Sequence, residues 1–128
     1  MFQEESAPLV GDVAAHHRAM SLNVSDVVTE LVDILGLSAV AAIGGVNETR
    51  AVSQWMDGRE PQRAQTLRFT LQIALMIATR EDRHVARAWF QGSNPLLGDR
   101  APLLMLRNLS LDEIQGPLMK AARSFARR

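Results

Sequence analysis

Cysteine and tyrosine are both absent from this chain, and lysine occurs once, at Lys120. Without cysteine there are no disulfides, no thiolate metal ligands and no Cys nucleophile, so a reducing compartment is the simplest setting. Tyrosine is a common strand former, and no alternation of apolar and polar residues lasts more than a few positions, so nothing argues for strands. Long apolar runs are missing as well. The best of them, LQIALMIAT at 71–79, falls short of the ~20 residues a membrane span requires and is flanked by Arg68 and Arg80. It reads as a buried helix. The N-terminal MFQEESAPLV opens with acids rather than a basic leader. The expectation is a cytoplasmic protein with no membrane partner.

Net charge is lacking too, since 14 Lys and Arg balance 14 Asp and Glu. The balance is uneven along the chain. Up to Glu48 the acids Glu4, Glu5, Asp12, Asp26, Glu30, Asp33 and Glu48 are opposed only by Arg18, whereas arginines dominate from Arg50 onward. A neutral total can therefore hide a basic surface. Arginine suits phosphate and carboxylate recognition better than lysine, although the same bias arises from genome composition. The 128 residues, 47% of them apolar, suffice for one compact domain or two small units sharing a core.

What is present is helical periodicity, and the fold class it predicts is all-α. Residues 1 to about 20 show no sustained period and read as an arm, with a short helix over GDVAAHHRAM. Adjacent His16 and His17 point to different faces, which is poor metal geometry. The first clear helix is SDVVTELVDIL, 25–35, with Val27, Val28, Leu31, Ile34 and Leu35 as its stripe, Ser25 as N-cap and Gly36 as stop. SAVAAIG follows from Ser38 and ends at Gly44-Gly45. NETRAVSQWMDG is a third helix, capped by Asn47, with Val52 and either Trp55 or Met56 inward and Gly58 closing it.

A long helix over 61–80 starts with Pro61 in its first turn. Leu67, Leu71, Ala74 and Ala78 mark one face, and Phe69, Ile73, Met76 and Ile77 another, so it is buried on two sides. HVARAWFQ is a short helix capped by Asp82. The turn formers of SNPLLGDRAP then intervene, Pro102 starts PLLMLRN, and Ser110 with Glu113 forms a capping box ahead of LDEIQGPLMKAARSFA. Gly116-Pro117 predicts a kink or break in that last helix.

Two constellations bear on function. At 38–58, two short helices joined by a Gly turn, the second polar outside and apolar inside, form a helix-turn-helix arrangement. Thr49, Arg50, Ser53 and Gln54 are the residue types that bond base edges, while Arg59, Gln62 and Arg63 suit phosphates. The run VAAIGGVNETRAVSQWMDG resembles the helix-turn-helix of Xre-type regulators. That resemblance implies base-contact positions at Thr49, Arg50 and Gln54, although this chain is a residue longer between Gly45 and Val52.

At 85–106, Leu96 and Leu97 stand on what should be a water-facing connector beside Trp89 and Phe90. Either they form an apolar patch for a partner, with Arg100 as a further anchor, or they fold back onto the long helix. The run VARAWFQGSNPLLGDRAPLLML resembles the toxin-binding domain of the MbcA/ParS/Xre antitoxin family, with Trp89, Asn94, Leu97, Gly98, Pro102, Leu103 and Leu106 at the matching places. With both runs in order, the resemblance covers roughly 25–126.

It implies an antitoxin of a type II toxin–antitoxin system that occludes the active site of a cognate RES-domain, NAD-consuming toxin. The implied toxin-binding residues are Trp89, Phe90, Asn94, Leu96, Leu97, Arg100, Pro102, Leu103 and Leu106, and promoter DNA is a second implied partner. The alternative is a free-standing Xre-like regulator without a toxin. The expected organisation is a flexible arm over 1–22, a helix-turn-helix-like region over 23–60, and the long helix with a small helical toxin-binding region over 61–128.

No catalytic site is expected. The cluster Arg80-Glu81-Asp82-Arg83-His84 reads as a charged connector, and no phosphate loop or nucleophile motif stands near a base. Neither a metal nor a cofactor is expected. A homodimer is, because two-fold pairs are the commonest assembly, and the long helix is the suspected dimer face.

Overall fold

The computed structural model describes residues 10–127. Eight helices account for most of them: α1 (Val10–Ser21), α2 (Val24–Leu35), α3 (Leu37–Ile43), α4 (Thr49–Met56), α5 (Ala64–Arg80), α6 (Arg83–Gln91), α7 (Pro102–Asn108) and α8 (Leu111–Arg127). A 3-10 turn, Pro95–Leu97, lies between α6 and α7. There is no strand among the described residues, where an isolated bridge between Asn94 and Arg100 closes the loop around that turn. No helix there is long and apolar enough to cross a membrane.

Helix α5 is the centre of the fold rather than a link between two parts. It packs against α1, α2, α6 and α8, and both expected faces are inside: Leu67, Leu71 and Ala74 on one, Phe69, Ile73, Met76 and Ile77 on the other. Buried Thr70 bonds its hydroxyl to the Thr66 carbonyl, 2.8 Å away, which satisfies its polar atom within the helix. One continuous apolar cluster runs from Ala15 to Ala122 and draws on all eight helices. The regions read separately from sequence therefore share a single core.

The short helix expected over 11–20 forms, but it packs into the fold rather than standing on an arm, and residues 1–9 lie outside the described part. Residues 10–21 are a helix whose inner face is made of small residues, with Ala15 and Ala19 buried against α5. Alanines carry almost no hydrophobic period, yet they permit close approach of two backbones. Gly11 adds to this, since its bare Cα faces the Thr79 side chain.

Arginines fasten the helix ends. Arg68 Nη1 donates to the carbonyls of Ala19 and Leu22 at the end of α1, at 2.9 and 2.6 Å. Arg87 Nε donates to Ile34 O near the end of α2, at 3.2 Å. Arg107 Nη1 donates to Ala42 O (3.1 Å) and Val46 O (3.2 Å), and its Nη2 to Asn47 Oδ1 (2.9 Å). Arg63 Nη1 reaches Ile43 O (3.4 Å) and Arg107 O (2.9 Å). The last carbonyls of a helix lack intrahelical donors and carry the negative end of its dipole, so a guanidinium satisfies both at once. Much of the arginine bias thus serves the fold itself.

Several caps differ from expectation. Asn23 rather than Ser25 caps α2, its Oδ1 accepting from Asp26 N at 2.9 Å. Helix α3 begins at Leu37 behind Gly36, with no side-chain cap. Asn47 does not cap α4, because its Oδ1 is taken by Arg107. Pro61 precedes α5, which starts at Ala64.

The Ser110–Glu113 box forms as expected: Glu113 Oε1 accepts from Ser110 N (3.0 Å) and its hydroxyl (2.9 Å), which holds the Glu113 carboxyl below its usual range. Asp82 caps α6 through Val85 N, and Pro102 opens α7. Helix α8 runs through Gly116-Pro117 without a break. Pro117 removes the donor to the Glu113 carbonyl, but both residues lie on the exposed side, where that carbonyl is open to solvent.

Candidate interaction surfaces

The first surface is α4. Val52 and Trp55 are buried, and Gly44 is without a side chain because a Cβ there would collide with the Trp55 ring. This resolves the inward residue as Trp55, with Met56 only partly covered. Gly45, at φ +81, turns the chain and leaves space for the Arg63 guanidinium, 2.8 Å from where a Cβ would sit. Helix α4 starts at Thr49, so residues 45–48 form the connection from α3.

Thr49, Arg50, Ser53 and Gln54 are all exposed, as are Arg59 and Gln62. Arg63 is exposed as well, and its Nη1 is held by the Ile43 and Arg107 carbonyls. The remaining cations, Arg50 and Arg59, share this surface with Glu48, Asp57 and Glu60, all exposed. The face is polar and not basic.

The second surface surrounds the loop between α6 and α7. Asn94 organises it: its Oδ1 accepts from Leu96 N (2.9 Å), its carbonyl from Leu97 N and Asp99 N (both 2.9 Å), and its N donates to Arg100 O (3.1 Å). Gly98 and Asp99 are both left-handed, at φ +66 and +63. The two leucines part company at this turn. Leu97 is 3% exposed and joins the core, whereas Leu96 is 63% exposed.

Of the other expected toxin contacts, Trp89, Phe90 and Leu106 are buried in the protein's own core, Pro102 is buried at the start of α7, and Leu103 is half-buried against the core. Trp89 meets Phe90 edge-to-face with ring centroids 5.1 Å apart, and its indole N–H is buried without an acceptor. These side chains build the platform of the surface, and Trp89 also lines a groove beside the loop. Asn94 sets the backbone. Arg100 stays exposed, with Nε anchored on the Leu97 carbonyl at 2.8 Å.

A residue passed over in the sequence stands out instead. Leu104, on α7, is 53% exposed. The signal was available, because Pro102, Met105 and Leu106 at i, i+3 and i+4 form the buried side of α7 and leave Leu104 opposite. It borders a cleft of about 530 Å³ that also holds Gln91, Asp99, Arg100, Asn108 and Leu109. On the other side of the same loop, Leu96 borders a groove of about 400 Å³ with Trp89, Pro95, Ala121, Ser124 and Phe125.

The 80–84 cluster is exposed and structurally employed, with Asp82 capping α6 and Arg83 pairing with Asp33 at 2.6 Å. Among the described residues no three His, Asp or Glu side chains gather to hold a metal ion. Compared with family models, with curated proteins and with solved structures, the chain finds no match in any of the three.

Proposed function

We propose that this protein is the antitoxin of a type II toxin–antitoxin pair, which binds a cognate RES-domain, NAD-consuming toxin and occludes its active site. The observation that carries the reading is the Leu104 cleft, an exposed apolar side chain in a concave site rimmed by Asp99, Arg100, Gln91 and Asn108. An apolar centre within a polar rim is the composition of a protein interface, and Arg is a common anchor there. The resemblance of residues 85–106 supplies the identity of the partner. Contact then runs through Leu104, Arg100 and the accessible edge of Leu103, with Trp89, Phe90, Leu97, Pro102 and Leu106 holding the surface in shape.

The α3–α4 pair supports a second role as a helix-turn-helix on promoter DNA, because Thr49, Arg50, Ser53 and Gln54 share the exposed side of α4. Phosphate attraction is weak on this face, where two free arginines stand among three acids. DNA affinity should therefore fall with salt with a log–log slope of only about 2. So mixed a charge supports a protein that reaches DNA with its toxin over a free-standing Xre-like regulator acting alone.

The test is to look for a RES-like toxin in the adjacent gene and to co-express the two. Co-purification and relief of growth arrest are expected for the wild type, and both should be lost in Leu104→Asp with helicity intact. A wild-type chain that neither binds nor relieves arrest contradicts the reading.

A further inference from the structure

The groove beside Leu96 differs in chemistry from the Leu104 cleft across the loop. In a chain that is 22% charged, not one of the described residues lining this groove is charged. Its walls are Trp89 and Pro95 on the loop side and Ala121 and Phe125 on α8, with Ser93, Asn94 and Ser124 as its small, uncharged polar lining. Leu96, 63% exposed, stands at its rim as an apolar knob beside an uncharged, mainly apolar hole.

We propose that two copies of this chain pair through this groove about a two-fold axis, each inserting Leu96 beside the groove of the other. The argument is electrostatic and geometric. A two-fold axis sets every side chain near it against its own copy, so a charge on that surface meets a like charge. An uncharged patch is what such an axis tolerates, whereas a different partner is selected by charges of opposite sign. The Leu104 cleft, with Asp99 and Arg100, has the second character, and the Leu96 groove has the first. A knob adjoining its own hole is also self-complementary, because the operation that seats one seats the other. Helix α5, the face suspected from sequence, is enclosed by α1, α2, α6 and α8 and offers no such surface. This pairing does not depend on the toxin reading.

The experiment is the solution mass of the full-length protein alone, by sedimentation equilibrium, for the wild type, Leu96→Asp, Ser124→Arg and Leu104→Asp. The wild type and Leu104→Asp should dimerise alike. Leu96→Asp, and Ser124→Arg on the opposite wall, should each raise the dissociation constant at least about tenfold, because each puts an unpaired charge into a contact that otherwise holds none. Circular dichroism checks that each variant is folded, and if one is not, the other decides. A monomeric wild type overturns the proposal, as does a dimer that a folded Leu96→Asp or Ser124→Arg leaves unchanged, for instance one built on Val13 and Met20 of α1.

Discussion

One loop, residues 92–101, separates two hollows, and each has a single large exposed leucine at its edge. On the α7 side Leu104 sits among Asp99, Arg100, Gln91 and Asn108; on the α8 side Leu96 sits among uncharged residues. The apolar content alone does not distinguish them. Their rims do, and the rim is where specificity resides: charges choose a different partner, while their absence suits a symmetric one. The two sides also differ in what lies behind them. Helix α7 is tied through Arg107 to the carbonyls of Ala42 and Val46 and to Asn47, so the cleft is mechanically continuous with the α3–α4 turn. The groove rests on α6 and α8 and has no such tie to α4.

The largest expected effect separates the two adjacent leucines of the loop. Leu97→Asp places an unpaired carboxylate in the core and should cost about 4 kcal/mol or more, read as a collapse of the thermal melting temperature. Leu96→Asp, on an exposed side chain, should leave that temperature nearly unchanged. Equal melting of the two would dissolve the distinction between core and surface in this loop.

Next in size is the effect of Leu104→Asp on toxin binding. Truncation or charging of a central interface anchor typically costs about 2 kcal/mol or more, a weakening of some 30-fold, which titration calorimetry against the purified toxin would read. An unaffected affinity would move the toxin surface off α7. Arg107→Ala should be smaller, about 1–2 kcal/mol, since it strips donors from partly buried carbonyls. Amide shifts in nuclear magnetic resonance spectra should change through residues 42–50 and α7 and stay put around Leu96 and α8. Changes spread evenly over both hollows would contradict the asymmetry.

These contrasts were only partly legible in the sequence. The stripes of α2 and α5, the Asp82 and Ser110–Glu113 caps and Pro102 at the start of α7 follow from local rules, and local rules suffice where a helix meets water on one side. What escaped depends on distant neighbours. Helix α1 has a buried face of alanines, which no hydrophobic period marks. Arg63, Arg68, Arg87 and Arg107 act on carbonyls 20 to 65 residues away in sequence, so their role is invisible to spacing. Asn47 lost its capping task to Arg107 for the same reason. The 93–102 stretch shows both outcomes at once: its turn residues act as their chemistry demands, but which leucine faces inward is set by the Asn94-centred hydrogen bonds, and most of the proposed contact residues proved to be core.

The smallest expected effect lies at the start of α8, whose far turns wall the groove. Glu113 accepts two bonds from Ser110, and its carboxyl is held below the ordinary range by the backbone N–H first and the hydroxyl second. A depressed folded value means that the bond supports the helix at neutral pH and is lost as acid titrates the carboxylate through that lowered value. The side-chain carbonyl shift of Glu113 should titrate below that of a free glutamate. Ser110→Ala should return it toward the ordinary value without altering self-association.

The central claim, that two sides of one loop serve two different occupants, is tested most directly by the solution masses of Leu96→Asp and Leu104→Asp, each measured alone at the same concentration. The account predicts a monomer for the first and a dimer for the second. The same mass for both, whether monomer or dimer, would contradict it.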